Sequence, residues 1–146
     1  MDELEALKDQ AARQEEKYLR LAAEYDNFRK RTAKEKEAIW NDAKADAALA
    51  FLPVYDNLER ALKQETADEA YKKGVEMTMN QLKTVLEKLG ITEIEALGQP
   101  FDPALHNAVM HIEDENFGEN TVAEVFQAGF RLGDKVVRFA MVKVAN

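Results

Sequence analysis

The chain has 146 residues, with 20 basic and 28 acidic side chains and a formal charge of −8. That length suits one ordinary domain or two small ones with a modest core. No apolar run approaches the roughly 18 residues a membrane span needs, and MDELEALKDQ offers no basic stretch leading into an apolar signal core. With no cysteine there is no disulfide framework, thiol nucleophile or thiolate zinc site. The negative balance argues against general nucleic-acid binding, which cationic neutralisation of phosphate drives. An acidic, soluble, intracellular protein is the expectation.

Helix breakers divide the chain. No proline precedes Pro53, the first glycine is Gly74, and Gly90, Gly98, Gly118, Gly129 and Gly133 follow with Pro100 and Pro103. The first half is rich in Ala, Glu, Lys, Leu, Arg and Gln, the strong helix formers. Residues 2–52 read as one helix, on the order of 75 Å long. Such a helix must pair along its length. Leu4, Leu7, Ala11, Tyr18, Leu21, Tyr25 and Phe28 occupy the a and d positions of one heptad frame, with Gln14 the polar exception. This is the pattern of a two-stranded coiled coil. Past Phe28 the seam weakens, because Thr32, Glu35, Asp42 and Asp46 take the next inward positions. The basic run Arg29, Lys30, Arg31, Lys34 and Lys36 lies in that stretch. It reads as a solvated face with acidic partners, as an electrostatic docking surface for a protein, or, third, as a nucleic-acid contact that lacks an aromatic platform.

Pro53 predicts a kink or the first turn of a new helix. Leu58, Ala61 and Leu62 give the next segment an apolar face. Thr66-Ala67-Asp68-Glu69 reads as a capping box. Tyr71, Val75, Thr78, Leu82, Val85 and Leu89 then follow at helical spacing, with Gly90 as the left-handed residue that closes the helix. One long and two short helices make half a bundle, which a second copy would complete as a dimeric four-helix bundle. Gly74 interrupts the last helix. It marks either close backbone packing or a bare surface needed by a partner.

From residue 91 the period changes to that of strands. Ile91–Leu97, Val109–Ile112, Val122–Phe126 and Val136–Val144 are the strand-like runs. Asp102-Pro103 predicts a capped helical turn carrying Leu105 and His106, and Gly133-Asp134 predicts a hairpin. The fold class is α+β: a long dimerising helix (1–52), short bundle helices (53–90) and a small, mostly antiparallel β domain (91–146). His106 and His111 lack the spacing of a zinc pair. Phosphate loops and nucleophile elbows are absent from the sequence. Binding without a cofactor is the expected activity.

Phe101-Asp102-Pro103-Ala104-Leu105-His106-Asn107-Ala108-Val109 and the run from Gly129-Phe130-Arg131-Leu132-Gly133-Asp134-Lys135 through Val144 resemble the signature of the GrpE family. Tyr25-Asp26-Asn27-Phe28-Arg29-Lys30-Arg31, Leu52–Leu62 and Gly74-Val75-Glu76-Met77-Thr78 extend the resemblance over residues 15–146. The family's long acidic leader is missing or very short, so a trimmed chain is expected. The resemblance implies a non-enzymatic nucleotide exchange factor in a bacterial cytoplasm. It implies a homodimer that binds the nucleotide-binding domain of a DnaK-type heat-shock chaperone and holds its cleft open for ADP release. By position, Arg29, Gly74, Phe126, Lys135 and Arg138 are the expected chaperone contacts; the structural alternatives are Phe126 in the β core and Arg138 in an intrachain ion pair. Leu4, Leu7, Tyr18, Leu21, Tyr25, Phe28, Leu58, Leu62, Val75, Leu82 and Val85 are the expected dimer contacts. The rival reading is a non-catalytic coiled-coil adaptor presenting its β domain to another protein.

Overall fold

A computed structural model describes residues 2–146, and the chain divides into two units, Met1–Trp40 and Asn41–Asn146. Its elements are α1 (Asp2–Leu62), α2 (Glu69–Lys88), β1 (Ile91–Glu93), β2 (His106–Ile112), β3 (Thr121–Gln127), β4 (Phe130–Leu132), β5 (Lys135–Arg138) and β6 (Ala140–Ala145). The class is α+β.

The first unit is the leading part of α1. Asp2, Glu3 and Glu5 lie in its first turn, where the helix dipole favours negative charge. Pairs one turn apart support its exposed sides: Asp9 with Arg13 at 2.9 Å, Glu16 with Arg20 at 3.3 Å and Asp26 with Lys30 at 3.0 Å. In each the acid precedes the base, the favourable order on a helix. Leu4, Leu7, Tyr18, Leu21, Tyr25 and Phe28 are all more than half exposed.

In the second unit α1 continues through Pro53 to Leu62, so the short helix expected after the proline is the end of α1 itself. Only one further helix, α2, follows it. The proline costs about 3 kcal/mol in a helix interior. Its neighbours supply more. Ala48, Leu52 and Tyr55 are buried against Met79 and Leu86 of α2, Ile91 of β1, and Phe130 of β4. Each large apolar side chain so covered contributes about 1.5–3 kcal/mol. Leu58, Leu62, Leu82, Leu132 and Val137 pack at the edge of this cluster. The start of α2 also differs from expectation. Asp68 is its N-cap, accepting from the Tyr71 amide at 3.0 Å, while the Thr66 hydroxyl oxygen accepts from the Asp68 amide. The carboxylate caps more strongly than the hydroxyl two residues before it. Gly90 closes α2 with φ of 81°, as its position predicts.

Two three-stranded sheets follow. The inner sheet has the order β1-β4-β5 and is antiparallel; β4 and β5 form the hairpin turning at Gly133, whose φ is 58°. The outer sheet has the order β2-β6-β3, with β2 parallel and β3 antiparallel to β6. Its core is Ala96, Val122, Ala140, Val142 and Val144, flanked by Phe101 and Val125. The run Val136–Val144, expected as one strand, breaks at Phe139 and passes from the inner sheet to the outer. The cause is a close crossing of backbones: a Cβ on Gly129 would collide with the amide nitrogen of Ala140. The expected strand over Ile91–Leu97 is likewise shorter, ending at Glu93. The capped turn expected at Pro103 is present: the Asp102 carboxylate accepts from the Ala104 amide at 2.9 Å, and the Leu105 and His106 amides donate to the Asp102 carbonyl.

The Tyr55 ring meets Phe130 edge-on at 5.0 Å, and its hydroxyl faces the Glu93 carboxylate. Burial pushes the Tyr55 hydroxyl above its ordinary range, and the charges of Glu93 and Glu59 add to this. Partial desolvation also raises Glu93, although its side chain keeps an exposed edge, with Lys83 opposing and Glu59 reinforcing the shift.

Two outcomes follow from this packing. Gly129→Ala has no room beside Ala140 and is expected to lower unfolding free energy by about 2 kcal/mol or more in urea denaturation. An unchanged midpoint would refute the close crossing. Glu93 holds its proton more tightly folded than unfolded. Stability therefore falls as pH rises from the ordinary carboxylate range through the raised value, and the deficit persists at neutral pH. Glu93→Gln is expected to raise the melting temperature at neutral pH, with the gain shrinking toward about pH 4. A gain independent of pH would assign the effect to packing instead.

Candidate functional site

The side chains that set the β strands against α1 converge on one carboxylate. Asp56 is one residue beyond the buried Tyr55, on the part of α1 that faces the sheets. Its two oxygens accept from Nη1 and Nη2 of Arg138, both at 2.8 Å, and Oδ2 also accepts from Nε2 of Gln127 at 3.3 Å. The side chains of Arg138 and Asp56 are only 14% and 23% exposed. The same guanidinium donates through Nε and Nη2 to the Ala128 carbonyl, at 3.0 and 2.7 Å, and lies 5.7 Å from the centre of the Phe130 ring. The planar fork of arginine is what allows one side chain to grip a carboxylate and a carbonyl together.

Lys135, three residues before Arg138 on β5, reaches the same helix. Its Nζ lies 2.6 Å from Oδ1 of Asp42, in an exposed pair. Asp42 and Asp56 are fourteen residues apart, close to four helical turns, so α1 carries both acceptors on one side. Asp42, a polar interruption of the heptad seam in the sequence, is thus the partner of a strand residue.

Phe126 lies beside Gln127 on β3 and is 43% exposed. The Lys143 ammonium sits 5.5 Å from its ring centre and pairs with Glu124 at 2.8 Å. Lys143 of β6 aligns with Met110 of β2 and Glu124 of β3. Met110, Lys143, Glu124 and Phe126 therefore make a mixed apolar and charged patch on the outer sheet. Gly74 is exposed in α2, and nothing in the chain lies within 4 Å of where its Cβ would be. Close packing within this chain does not account for it. Its carbonyl accepts from the Thr78 hydroxyl at 3.0 Å.

Arg29 belongs to the first unit, where it approaches Asp26 at 3.4 Å. Arg31 pairs loosely with Glu35 at 3.8 Å and lies over the Phe28 ring at 5.7 Å. Much of the basic run is therefore a solvated face with acidic neighbours. Of the expected dimer contacts, Leu58, Leu62 and Leu82 are partly covered by their own chain, Val75 is half-buried and Val85 remains 48% exposed.

His106 is 4% exposed. Its Nδ1 accepts from the Asp102 amide at 3.0 Å. It fastens the turn after Pro103, as its sequence position predicts. Among the described residues no group of three or more His, Cys, Asp or Glu is arranged to hold a metal, and no helix is long and apolar enough to cross a membrane. Sequence reasoning missed Asp42, Asp56, Gln127 and Glu93. The one available signal was the match in helical phase of Asp42 and Asp56, facing two cations on a single strand.

The GrpE family model matches residues 1–146. The chain is 58% identical over 144 residues to Protein GrpE of Clostridium acetobutylicum, covering 99% of this chain and 68% of that one. It is 57% identical over 131 residues to Protein GrpE of Clostridium beijerinckii, covering 90% and 63%. It is 48% identical over 133 residues to Protein GrpE of Geobacillus stearothermophilus, covering 89% and 60%. The chain thus spans about two thirds of the length of these relatives. Matched from end to end, and carrying the signature residues on the turn at His106 and on the strands that grip α1, the chain belongs to the GrpE family.

Proposed function

We propose that this chain is an adenine-nucleotide exchange factor for a DnaK-type heat-shock chaperone of the bacterial cytoplasm. The whole-chain family match, at 58% identity to a bacterial Protein GrpE, carries this reading. The factor binds the chaperone's nucleotide-binding domain where its cleft is open. A ligand that prefers the open state weakens whatever prefers the closed one by the same coupling free energy. ADP leaves, ATP enters, and no bond is made or broken by the factor. No cofactor, nucleic acid or membrane takes part.

The surfaces support division of labour. The exposed heptad face, from Leu4 to Phe28, belongs to a homodimer, in which residues 1–52 form the paired helix and 53–90 the bundle. The β wing, 91–146, presents Phe126 and Lys135 to the chaperone, with Arg29 and the bare helix surface at Gly74 as further contacts. Exposed aromatic and apolar groups around a fixed charge are the usual content of such an interface. A coiled-coil adaptor serving another protein would leave chaperone nucleotide kinetics unchanged.

Stopped-flow release of a fluorescent ADP analogue from a bacterial DnaK-type chaperone distinguishes the two. Saturable acceleration of at least about tenfold is expected, within the range of ordinary coupling energies. No acceleration, with a cognate chaperone and the dimer intact by sedimentation, would leave only the adaptor. Gly74→Ala separates folding from binding in the same assay. It is expected to stabilise α2 by about 1 kcal/mol while raising the factor concentration needed for half-maximal release. Stabilisation with unchanged half-saturation would remove Gly74 from the contact.

A further inference from the structure

The arrangement around Asp56 does more than add an ion pair to a core. Besides the long connection 94–105, the chain crosses between the two sheets at two short places, 128–129 and 139, and Arg138 is beside both. It is the last residue of β5, and its guanidinium holds the Ala128 carbonyl in the first crossing while its own backbone enters the second. Gln127, at the end of β3, reaches the same Asp56 oxygen that accepts from Arg138 Nη1. Gly129 packs directly on Ala140, so the two crossings touch. The outer sheet has no comparable side-chain ion pair to α1 among the described residues. The ion pairs between the β strands and α1 are those of Lys135 and Arg138, both from β5 of the inner sheet.

We propose that Asp56 is a positioning residue for nucleotide exchange: through Arg138, Ala128 and Gln127 it fixes the angle at which the outer sheet, with Phe126, Met110 and Lys143, is carried on α1. The inference rests on the exchange function proposed above. It also changes the role given to Arg138, whose donors are turned inward to Asp56 and Ala128. An exchange factor works by holding two lobes of its partner apart, so the angle between its contact surfaces matters as much as their chemistry. An ordinary surface pair would not hold such an angle. A bidentate, largely covered one can, because breaking either partner leaves a mostly covered charge without its partner and releases both crossings together.

The test uses Asp56→Asn, Arg138→Lys and Arg138→Met in the full chain, each first shown to keep its far-ultraviolet circular dichroism and dimeric mass. A misaimed outer sheet is expected to lower the maximal rate of ADP release at saturating factor on the order of tenfold in Asp56→Asn and Arg138→Met. Half-saturation should change far less. Arg138→Lys, which keeps the charge but not the fork, should recover part of the maximal rate. The cysteine-free sequence permits a second readout. Spin labels at Ala61→Cys and Asn107→Cys, diluted with unlabelled chain, are expected to give one narrow distance in the parent and a broadened distribution in Asp56→Asn. Identical distributions would overturn the proposal, as would a raised half-saturation with an unchanged maximal rate, which would make Arg138 a direct contact. Should the parent itself fail to accelerate release, the exchange reading falls, while the distance measurement still decides the role of Asp56.

Discussion

The bidentate pair between Asp56 and Arg138 is the constraint on which the second unit depends. Its two ends lie 82 residues apart in the chain, on a helix and a strand that are also joined by the exposed pair of Asp42 and Lys135. Charged groups are costly to bury, and a covered pair is favourable only when its remaining donors and acceptors are also satisfied. Here they are. The third donor of the guanidinium, at Nε, goes to a backbone carbonyl that the strand crossing would otherwise leave without a partner. Removing either charge alone leaves the other largely covered and without its partner.

Around that point the apolar cluster decides the local structure. Leu52 and Tyr55 of α1 are almost fully covered by α2 and the inner sheet, and this packing carries the helix past Pro53. Tyr55 serves two purposes, with its ring on Phe130 and its hydroxyl turned toward Glu93. The same helix thus supplies a buried face in the second unit and, in the first, an exposed apolar face suited to another helix. One sequence segment can do both because the heptad stripe fades past Phe28, before the contacts with the β strands begin at Asp42.

What could be read from the sequence was whatever leaves a periodic or local mark. The α+β class, the closing glycine at Gly90, the hairpin at Gly133 and the turn-locking role of His106 all rest on spacing or on a residue's own conformational preference. The errors came where distant contacts overrule a local rule. Pro53 signals a helix break, but burial of Leu52 and Tyr55 is worth more than the missing hydrogen bond. The alternation from Val136 to Val144 looks like one strand because nothing local announces that Gly129 will press against Ala140. Asp56 was missed for a related reason: its helical phase matches that of Asp42, but nothing local says that tertiary approach will bring two cations to that side. An intrachain ion pair was one of the two readings of Arg138, but nothing local named Asp56 as its partner.

The position of β6 has a consequence for the order in which the β half can assemble. It is the central strand of the outer sheet, and both β2 and β3 pair with it rather than with each other. It also comes after every other element. Until β6 is in place, β2 and β3 have open edges on the side where it belongs. Such edges are templates for pairing with other chains, and long-range strand pairing is slow to form. The residues from Ala140 to Ala145 are thus the step that converts two aggregation-prone strands into a finished sheet.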